Sequence, residues 1–147
     1  MNQDLSEVLS KHILLVEDNP GDVELTREAF KVSKVPCEFT VATDGEKAIN
    51  LLYDACKNKL RLPDVILLDI NMPKKNGFEV LATVKKSDVL KSIPVIMLTT
   101  SESQKDVEKC YELQANSYLT KPIDMANFFE MVETFEDFWL KTVKLPV

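Results

Sequence analysis

Two acidic segments of the chain each follow a run of apolar residues directly. Asp69 follows the apolar run 65–68, and Glu17 and Asp18 follow the apolar run 12–16. Runs of this kind are typical of strands buried in a parallel sheet, whose ligands bind at the carboxyl ends of the strands. Carboxylates crowded at that edge repel one another. A cation relieves the repulsion, and an all-oxygen ligand set suits Mg²⁺.

Two donor side chains are expected at the same edge. Thr99 follows the apolar run 93–98, and Lys121 follows the short predicted strand 116–120. A hydroxyl, an ammonium and a cation around a carboxylate can hold an anion, most simply a phosphoryl group. Each residue also has an ordinary explanation when taken alone: an acid caps the next helix, Lys121 is a solvated charge and Thr99 ends a strand. Their occurrence at successive strand ends favours a site.

Five predicted strands alternate with five predicted helices. The predicted strands are 12–16, 37–42, 65–68, 93–98 and 116–120. The predicted helices begin near Pro20, near Glu46, near Phe78, after a cap at Ser101 or Ser103, and at about Asp124, and the last runs to about Lys141. Strict alternation predicts a doubly wound α/β fold with a parallel sheet and right-handed crossovers. The chain lacks the glycine-rich motifs of dinucleotide and P-loop sites, which disfavours both.

The composition limits the other classes of function. The 147 residues suit one domain, and a net charge of −6 without a basic stripe disfavours nucleic-acid binding. The single histidine and the three separated cysteines disfavour a disulfide framework, a zinc site and histidine-based catalysis. No apolar run reaches the ~18 residues of a membrane span, and the polar start is unlike a signal peptide, so we expect a cytoplasmic protein.

Several motifs together carry a family resemblance. They are Leu15-Val16-Glu17-Asp18, the segment 67–73 with Gly77, Leu98-Thr99-Thr100, and Lys121-Pro122. With these motifs the chain resembles the receiver domains of two-component response regulators. Segments 111–113, 116–121 and 138–146 are similar to the stand-alone regulators associated with bacterial phytochromes. The resemblance implies a flavodoxin-like (βα)5 fold with strand order 2-1-3-4-5, a lead-in over 1–10, a receiver domain over 11–141 and a tail over 142–147.

The resemblance also implies a phosphoacceptor and a metal site. Asp69 matches the residue that takes a phosphoryl group from a phosphohistidine of a sensor histidine kinase and becomes 4-aspartylphosphate. By the same match, Mg²⁺ is held by the side chains of Asp18 and Asp69, by the backbone carbonyl of Asn71, and by Glu17 through water. Such a protein is a signalling phosphoacceptor with self-catalysed phosphotransfer and autodephosphorylation, rather than an enzyme with a separate substrate.

The family pattern also assigns residues that respond to the phosphoryl group once it is bound to Asp69. Lys121 matches the residue that pairs with the phosphoryl oxygens, and Thr99 matches the residue that hydrogen-bonds the phosphoryl group. Tyr118 matches the aromatic residue that swings inward when Thr99 moves. The family pattern also predicts a cis peptide bond between Lys121 and Pro122. Phosphorylation would then switch contacts with other proteins.

Two alternatives and a set of partners remain open at this stage. A phosphohydrolase of small molecules also uses an aspartate after a buried strand, but it needs a second acid where this chain has Asn71. A degenerate receiver-like binding module is the other alternative. The resemblance implies a sensor histidine kinase as partner, for which the similarity to phytochrome-associated regulators suggests the phytochrome type, and an unidentified downstream protein, with neither nucleic acid nor membrane. The apolar stripe of the last helix, together with the tail, predicts a homodimer.

Overall fold

The chain folds into an open parallel sheet that is covered by helices on both faces. In this computed structural model, the described residues are 10–32, 36–122 and 124–142. The predicted lead-in and tail therefore lie outside the described residues except for Ser10 and the backbone of Thr142. Among the described helices, none is long and apolar enough to cross a membrane.

Strands and helices alternate along the chain, as predicted. The strands are β1 (Lys11–Val16), β2 (Cys37–Ala42), β3 (Val65–Leu68), β4 (Val95–Thr99) and β5 (Ser117–Thr120). The helices are α1 (Pro20–Lys31), α2 (Gly45–Lys57), α3 (Gly77–Lys86), α4 (Gln104–Glu112) and α5 (Met125–Phe135), and α5 continues into a π-helix over Glu136–Thr142.

The sheet has the strand order that the resemblance implied. Its five strands run in the order β2-β1-β3-β4-β5, and every neighbouring pair is parallel. In the register between β1 and β3, Val16 lies opposite Leu68, so these strands end level with each other. In the register between β4 and β5, Thr99 lies opposite Thr120. The residues that follow these strands therefore emerge at one edge of the sheet.

The core consists of two apolar layers, because successive side chains of a strand point to opposite faces of the sheet. One layer contains Leu14, Val16, Ile66, Leu68, Val95 and Met97 with buried residues of α2, α3 and α4. The other layer contains Ile13, Leu15, Val65, Leu67, Ile96 and Leu98 with buried residues of α1 and α5. Strands with both faces covered need continuous apolar sequences, which is why the pattern of the sequence predicts them well.

Helix starts follow ordinary capping chemistry. The side chains of Asn19, Asp44, Asn76, Ser103 and Asp124 each accept a hydrogen bond from a backbone N–H in the first turn of the helix that follows. These bonds satisfy donors that a helix leaves unpaired at its N-terminus. Of the two caps considered for α4, Ser103 is the residue that fills this position.

The end of the last helix differs from the prediction. The sequence pattern predicted a single α-helix to about Lys141, whereas the helix widens into a π-helix from Glu136. The π-helix has i→i+5 bonding, so a 3.6-residue period no longer tells which side chains face the core. Leu140 in the π-helix is buried, whereas Met125 at the start of α5 is 63% exposed.

Candidate functional site

Three acidic side chains meet where β1 and β3 end. The backbone N–H of Asp69 donates to the carbonyl of Val16 over 3.0 Å, which ties the end of β3 to the end of β1. Carboxylate oxygens of Glu17, Asp18 and Asp69 all lie within 4.8 Å of one another. Glu17 and Asp69 are buried and Asp18 is exposed. The two apolar runs therefore deliver their acids to one point, as the sequence predicted.

This acid cluster fits a hard divalent cation. Its donors are carboxylate oxygens, which Mg²⁺ and similar ions prefer, and Asp18 leaves one side of the cluster open to solvent. Without a compensating charge, carboxylates at this spacing disfavour their own ionisation. The residues present thus match the predicted ligand chemistry at Glu17, Asp18 and Asp69.

The ammonium of Lys121 lies among the acids. Lys121 Nζ donates to Glu17 Oε1 in a close hydrogen bond and to Asp22 Oδ2 over 3.0 Å, and it lies 3.9 Å from Asp69 Oδ2. Only 5% of the Lys121 side chain is exposed. An isolated buried charge is costly, whereas one that is paired and hydrogen-bonded is tolerated. Lys121 therefore lies beside the acid cluster and is not a solvated surface charge.

Burial and pairing act against each other on the titration of this pair. Burial raises the pKa of Glu17, while the hydrogen bond and charge of Lys121 lower it, and burial prevails. Burial lowers the pKa of Lys121, but its hydrogen bond to Glu17 and the charges of Asp69 and Glu17 outweigh burial, so this pKa is raised. Lys121 therefore stays an ammonium at neutral pH, and Glu17 is the partner that takes up a proton as the pH falls.

Asp22 is a member of this site that sequence reasoning did not assign. It lies in the first turn of α1, where an acid is expected anyway because the helix dipole favours negative charge. Its carboxylate nevertheless reaches Lys121, which is 99 positions away in sequence. A short-range pattern cannot reveal such a contact. The available signal was its place in the same acidic segment, four residues after Asp18 and at the start of the helix that follows β1.

The two oxygens of Asp69 have different surroundings. Oδ1 accepts a hydrogen bond from the backbone N–H of Ile70 over 2.8 Å, and Oδ2 is the oxygen near the Lys121 ammonium. The chain then turns back, because the Gly77 N–H donates to the Ile70 carbonyl over 2.8 Å. A Cβ on Gly77 would lie 2.2 Å from the Asp69 carbonyl oxygen, so this close approach requires glycine.

Thr99 and Tyr118 are joined through Ser101. Thr99 is fully buried at the end of β4, and its Oγ1 accepts a hydrogen bond from the Ser101 N–H over 3.3 Å. The Tyr118 hydroxyl donates to the Ser101 carbonyl over 2.9 Å. Ser101 Oγ in turn donates to Asp106 Oδ2 on α4 over 2.6 Å. The backbone N–H of Lys121 donates to the Thr99 carbonyl over 2.7 Å, which links this group to the acid cluster.

One prediction for this edge is wrong, and another is untested. The predicted cis bond between Lys121 and Pro122 is wrong, because the described chain contains no cis peptide bond. Trans is the lower-energy isomer of such a bond by about 0.5–1 kcal/mol, and the Lys121 side chain reaches the acids with the bond in trans. Asn71 lies in the exposed part of the loop after β3, and a role for its carbonyl stays a prediction.

A family model and a similar protein both relate the chain to the response regulators. Residues 13–133 match the family model described as the response regulator receiver domain. The chain is similar to the response regulator Rcp1 of Synechocystis sp., with 46% identity over 138 residues that cover 92% of this chain and 93% of Rcp1.

Solved structures agree with this sequence similarity. The crystal structure of the phosphorylated cyanobacterial phytochrome response regulator RcpA has a TM-score of 0.88 and 42% identity, covering 94% of this chain and 99% of that one. The crystal structure of the Mn²⁺-bound form of Rcp1 has a TM-score of 0.86 and 45% identity, covering 93% of this chain and 99% of that one.

Proposed function

The chain belongs to the response regulator receiver domains, and from this premise we propose that Asp69 accepts a phosphoryl group from a histidine kinase. The observation that carries the proposal is that the Asp69 carboxylate lies close both to the acids that follow β1 and to the buried ammonium of Lys121. Such a site combines a nucleophile, a metal-binding acid cluster and a fixed cation for the phosphoryl oxygens.

The surroundings of Asp69 favour Oδ2 as the attacking oxygen. Oδ1 is held by the Ile70 N–H, whereas Oδ2 faces the side from which Lys121 approaches. Oδ2 forms a bond to phosphorus while the bond between phosphorus and the imidazole nitrogen of a phosphohistidine breaks. The bonding electrons return to the imidazole, and an acyl phosphate is left on Asp69. Lys121 then donates to the new phosphoryl oxygens, which together carry a charge of about −1.5 to −2.

The acid cluster is proposed to bind Mg²⁺. Asp18 and Asp69 would hold it by their carboxylates, Asn71 by its backbone carbonyl and Glu17 through water. When bound, the ion neutralises negative charge on the transferring phosphoryl group. Glu17 Oε1 already accepts from Lys121 and Glu17 Oε2 from the Asn19 N–H, so direct ligation by either oxygen would compete with one of these bonds, which supports the role through water.

Phosphorylation is proposed to act on the surface through Thr99. Thr99 Oγ1 accepts from Ser101, and its own hydroxyl hydrogen is available for a phosphoryl oxygen. Movement of Thr99 toward that oxygen would carry the Ser101 backbone, to which the Tyr118 hydroxyl is bonded. Thr99 and Tyr118 are therefore proposed as the switch that alters the surface of β5 and the neighbouring helices.

We propose a histidine kinase partner of the phytochrome type, because the similar protein RcpA is described as a phytochrome response regulator. Residues 11–141 are taken as the receiver domain, with a lead-in over 1–10 and a tail over 142–147. A net charge of −6 supports protein partners rather than nucleic acid. The cytoplasmic location stays a prediction of the sequence.

A homodimer through the last helix and the tail is also proposed. On that helix, Met125 is 63% exposed and Phe138 is 52% exposed, and such apolar surface supports an interface. We expect Phe138→Ser to lower the mass measured by light scattering from that of a dimer to that of a monomer. Exposed Leu60, which lies far along the sequence in the loop before β3, gives a matched control as Leu60→Ser. A monomeric unaltered protein, with and without phosphorylation, would contradict the dimer.

The alternatives are less well supported. A degenerate binding module has no need of the buried ammonium beside a nucleophilic acid. A phosphohydrolase of small molecules needs an acid where Asn71 stands. In the proposed reaction each protein molecule instead takes up one phosphoryl group. The protein catalyses this transfer from a phosphodonor itself and then loses the group slowly by autodephosphorylation.

The proposal is tested by phosphoryl uptake from a small phosphodonor such as phosphoramidate with Mg²⁺, followed by intact mass. The unaltered protein should gain one phosphoryl group, and Asp69→Asn should gain none. Asp64, which is buried at the opposite end of β3, provides the matched control as Asp64→Asn, and this variant should still be phosphorylated. Uptake by Asp69→Asn equal to that of the control would refute the assignment.

A further inference from the structure

The Lys121 ammonium has a partner outside the metal-binding acid cluster. Asp22 Oδ2 accepts a hydrogen bond from Lys121 Nζ over 3.0 Å, whereas Asp69 Oδ2 lies 3.9 Å from the same nitrogen. A distance of 3.9 Å is too long for a hydrogen bond. Asp22 and Glu17 therefore hold the ammonium, and Asp69 only attracts it.

The backbone around Asp22 fixes the position of this carboxylate. The Asp22 N–H donates to the capping side chain of Asn19 over 3.0 Å, and the Asp22 carbonyl accepts from the Thr26 hydroxyl over 2.7 Å. The side chain is 34% exposed, so it is desolvated on the side that faces Lys121 and still open to water on the other. Asp22 is thus well placed to hold the ammonium and to release it.

The position of Asp22 relative to the acid cluster separates its role from metal binding. Carboxylate oxygens of Glu17, Asp18 and Asp69 lie together, and Asp22 is not among them. An ammonium has three donors, and the bonds to Glu17 and Asp22 leave one for a phosphoryl group on Asp69. A second bond from Lys121 to the phosphoryl oxygens must therefore displace one of these two acids. Asp22, whose side chain is 34% exposed against 3% for Glu17, is the acid that water can take over, so Asp22 competes with the phosphoryl group for Lys121.

We propose that Asp22 is a positioning residue that holds Lys121 in the unphosphorylated protein and thereby weakens the hold of the site on a phosphoryl group. The inference rests on the proposed phosphorylation of Asp69. It adds the residue that competes with the phosphoryl group for Lys121. Asp22→Asn removes the charge that competes for the ammonium and that repels a phosphoryl group. The site should then bind phosphoryl mimics more tightly.

The first measurement concerns the unphosphorylated protein without metal and does not depend on phosphorylation. Asp22→Asn should lower the midpoint of thermal unfolding in the unaltered background and have a much smaller effect in the Lys121→Met background. Such non-additivity reports the contact between the two side chains. Equal shifts in both backgrounds would overturn the inference, whatever the phosphorylation results are.

The second measurement is the affinity for beryllofluoride, a mimic of the phosphoryl group, in the presence of Mg²⁺. Asp22→Asn should bind it about threefold to tenfold more tightly, as expected for the loss of one competing hydrogen bond of ordinary net strength. Asp22→Glu, which keeps the carboxylate, should return the affinity toward that of the unaltered protein. Glu24→Gln is the matched control: it removes the same charge from the same helix, but residues two apart do not share a helix face.

The outcomes separate this inference from the proposed function. An unchanged or weaker affinity for Asp22→Asn overturns the competition, and so does an equal gain for Glu24→Gln, which would indicate a general charge effect. If the unaltered protein binds no beryllofluoride, the proposed function fails, and the competition fails with it. The thermal unfolding result then still decides whether Asp22 holds Lys121.

Discussion

Lys121 is the residue on which the charge balance of the site depends. Its ammonium is nearly enclosed by protein and is held by Glu17 and Asp22, with Asp69 close by. Removal of one member of a buried ion pair is strongly destabilising, because it leaves uncompensated charge in a poorly solvated place. At this site the uncompensated charges would be carboxylates, for which a divalent cation is an alternative partner.

We expect Lys121→Met to lower the free energy of unfolding by about 3–5 kcal/mol at neutral pH. Because the orphaned acids form a better cation site than before, Mg²⁺ should restore more stability to this variant than to the unaltered protein. Urea unfolding with and without Mg²⁺ measures both effects.

A matched control for this prediction is Lys85→Met. Lys85 Nζ donates to the carbonyl oxygens of Lys91 and Ile93 and to Asn116 Oδ1, so its removal leaves no carboxylate behind. Mg²⁺ should stabilise Lys85→Met no more than it stabilises the unaltered protein. Equal effects of Mg²⁺ on the two variants would contradict the charge balance described for Lys121.

His12 gives a prediction on pH dependence. Burial lowers the pKa of the imidazole below 6.5, with the charge of Arg61 acting in the same direction, and Nε2 lies 2.9 Å from Thr40 Oγ1. As the pH falls through 6.5, the unfolded chain takes up the proton before the folded protein does. The stability contribution of neutral His12 is therefore complete above pH 6.5 and is lost as the pH falls to the folded pKa.

The midpoint for His12 can be measured by NMR, since the chain has a single histidine. We expect a midpoint below 6.5 in the folded protein. His12→Gln should make the unfolding free energy less dependent on pH between about pH 5 and 7. A midpoint at or above 6.5 would show that the charges of Glu38 and Asp64, which raise the pKa, prevail over burial.

At the scale of the elements, the loop between β3 and α3 has the tightest geometry around Asp69. Lys74 and Lys75 have positive φ angles of 58° and 142°, which side chains disfavour. The loop also packs against the start of α2, where a Cβ on Gly45 would lie 1.9 Å from the Lys75 carbonyl oxygen. Strained backbone of this kind persists only where the surrounding contacts impose it, and it often occurs at functional sites.

Gly77→Ala tests whether this loop geometry is needed. The new Cβ would lie 2.2 Å from the Asp69 carbonyl oxygen and 2.7 Å from Ile70 Cα, so the backbone beside the phosphoacceptor must shift. We expect a loss of about 1–3 kcal/mol in urea unfolding and weaker binding of beryllofluoride with Mg²⁺.

Gly21→Ala is the control for this substitution. At Gly21 a Cβ would meet only the side-chain Oδ1 of Asn19, at 3.2 Å. Its effect on stability should stay within about 1 kcal/mol, since alanine is also the better helix former. If the two variants proved equally stable, the close approach at Gly77 would not constrain the loop.

At the scale of the whole molecule, the sequence predicted the parallel sheet because each central strand is apolar on both faces. It predicted the position of Asp69 beside Glu17 and Asp18 because strand ends in such a sheet coincide. The strand order and the roles of Thr99 and Tyr118 depended on the family resemblance, since spacing alone does not determine which strands are neighbours.

Other features depend on three-dimensional detail that a linear pattern does not contain. The contact between Asp22 and Lys121 joins the first turn of α1 to the segment after β5, and only the folded backbone brings them together. The π-helix after Phe135 was not predicted either, because the apolar spacing indicated a single α-helix to about Lys141. The trans bond before Pro122 departs from the family pattern and had no signal in composition or periodicity.

The most direct test of the proposed function is to locate the phosphoryl group by chemistry specific to acyl phosphates. The protein is phosphorylated with phosphoramidate and Mg²⁺ and then reduced with borohydride, which converts an aspartyl phosphate into homoserine. Peptide mass spectrometry then reads each acidic position. We predict homoserine at Asp69 and at none of Asp18, Asp22 or Asp64. Homoserine at one of those residues, or unmodified Asp69 in protein that has gained the mass of a phosphoryl group, would contradict Asp69 as the phosphoacceptor.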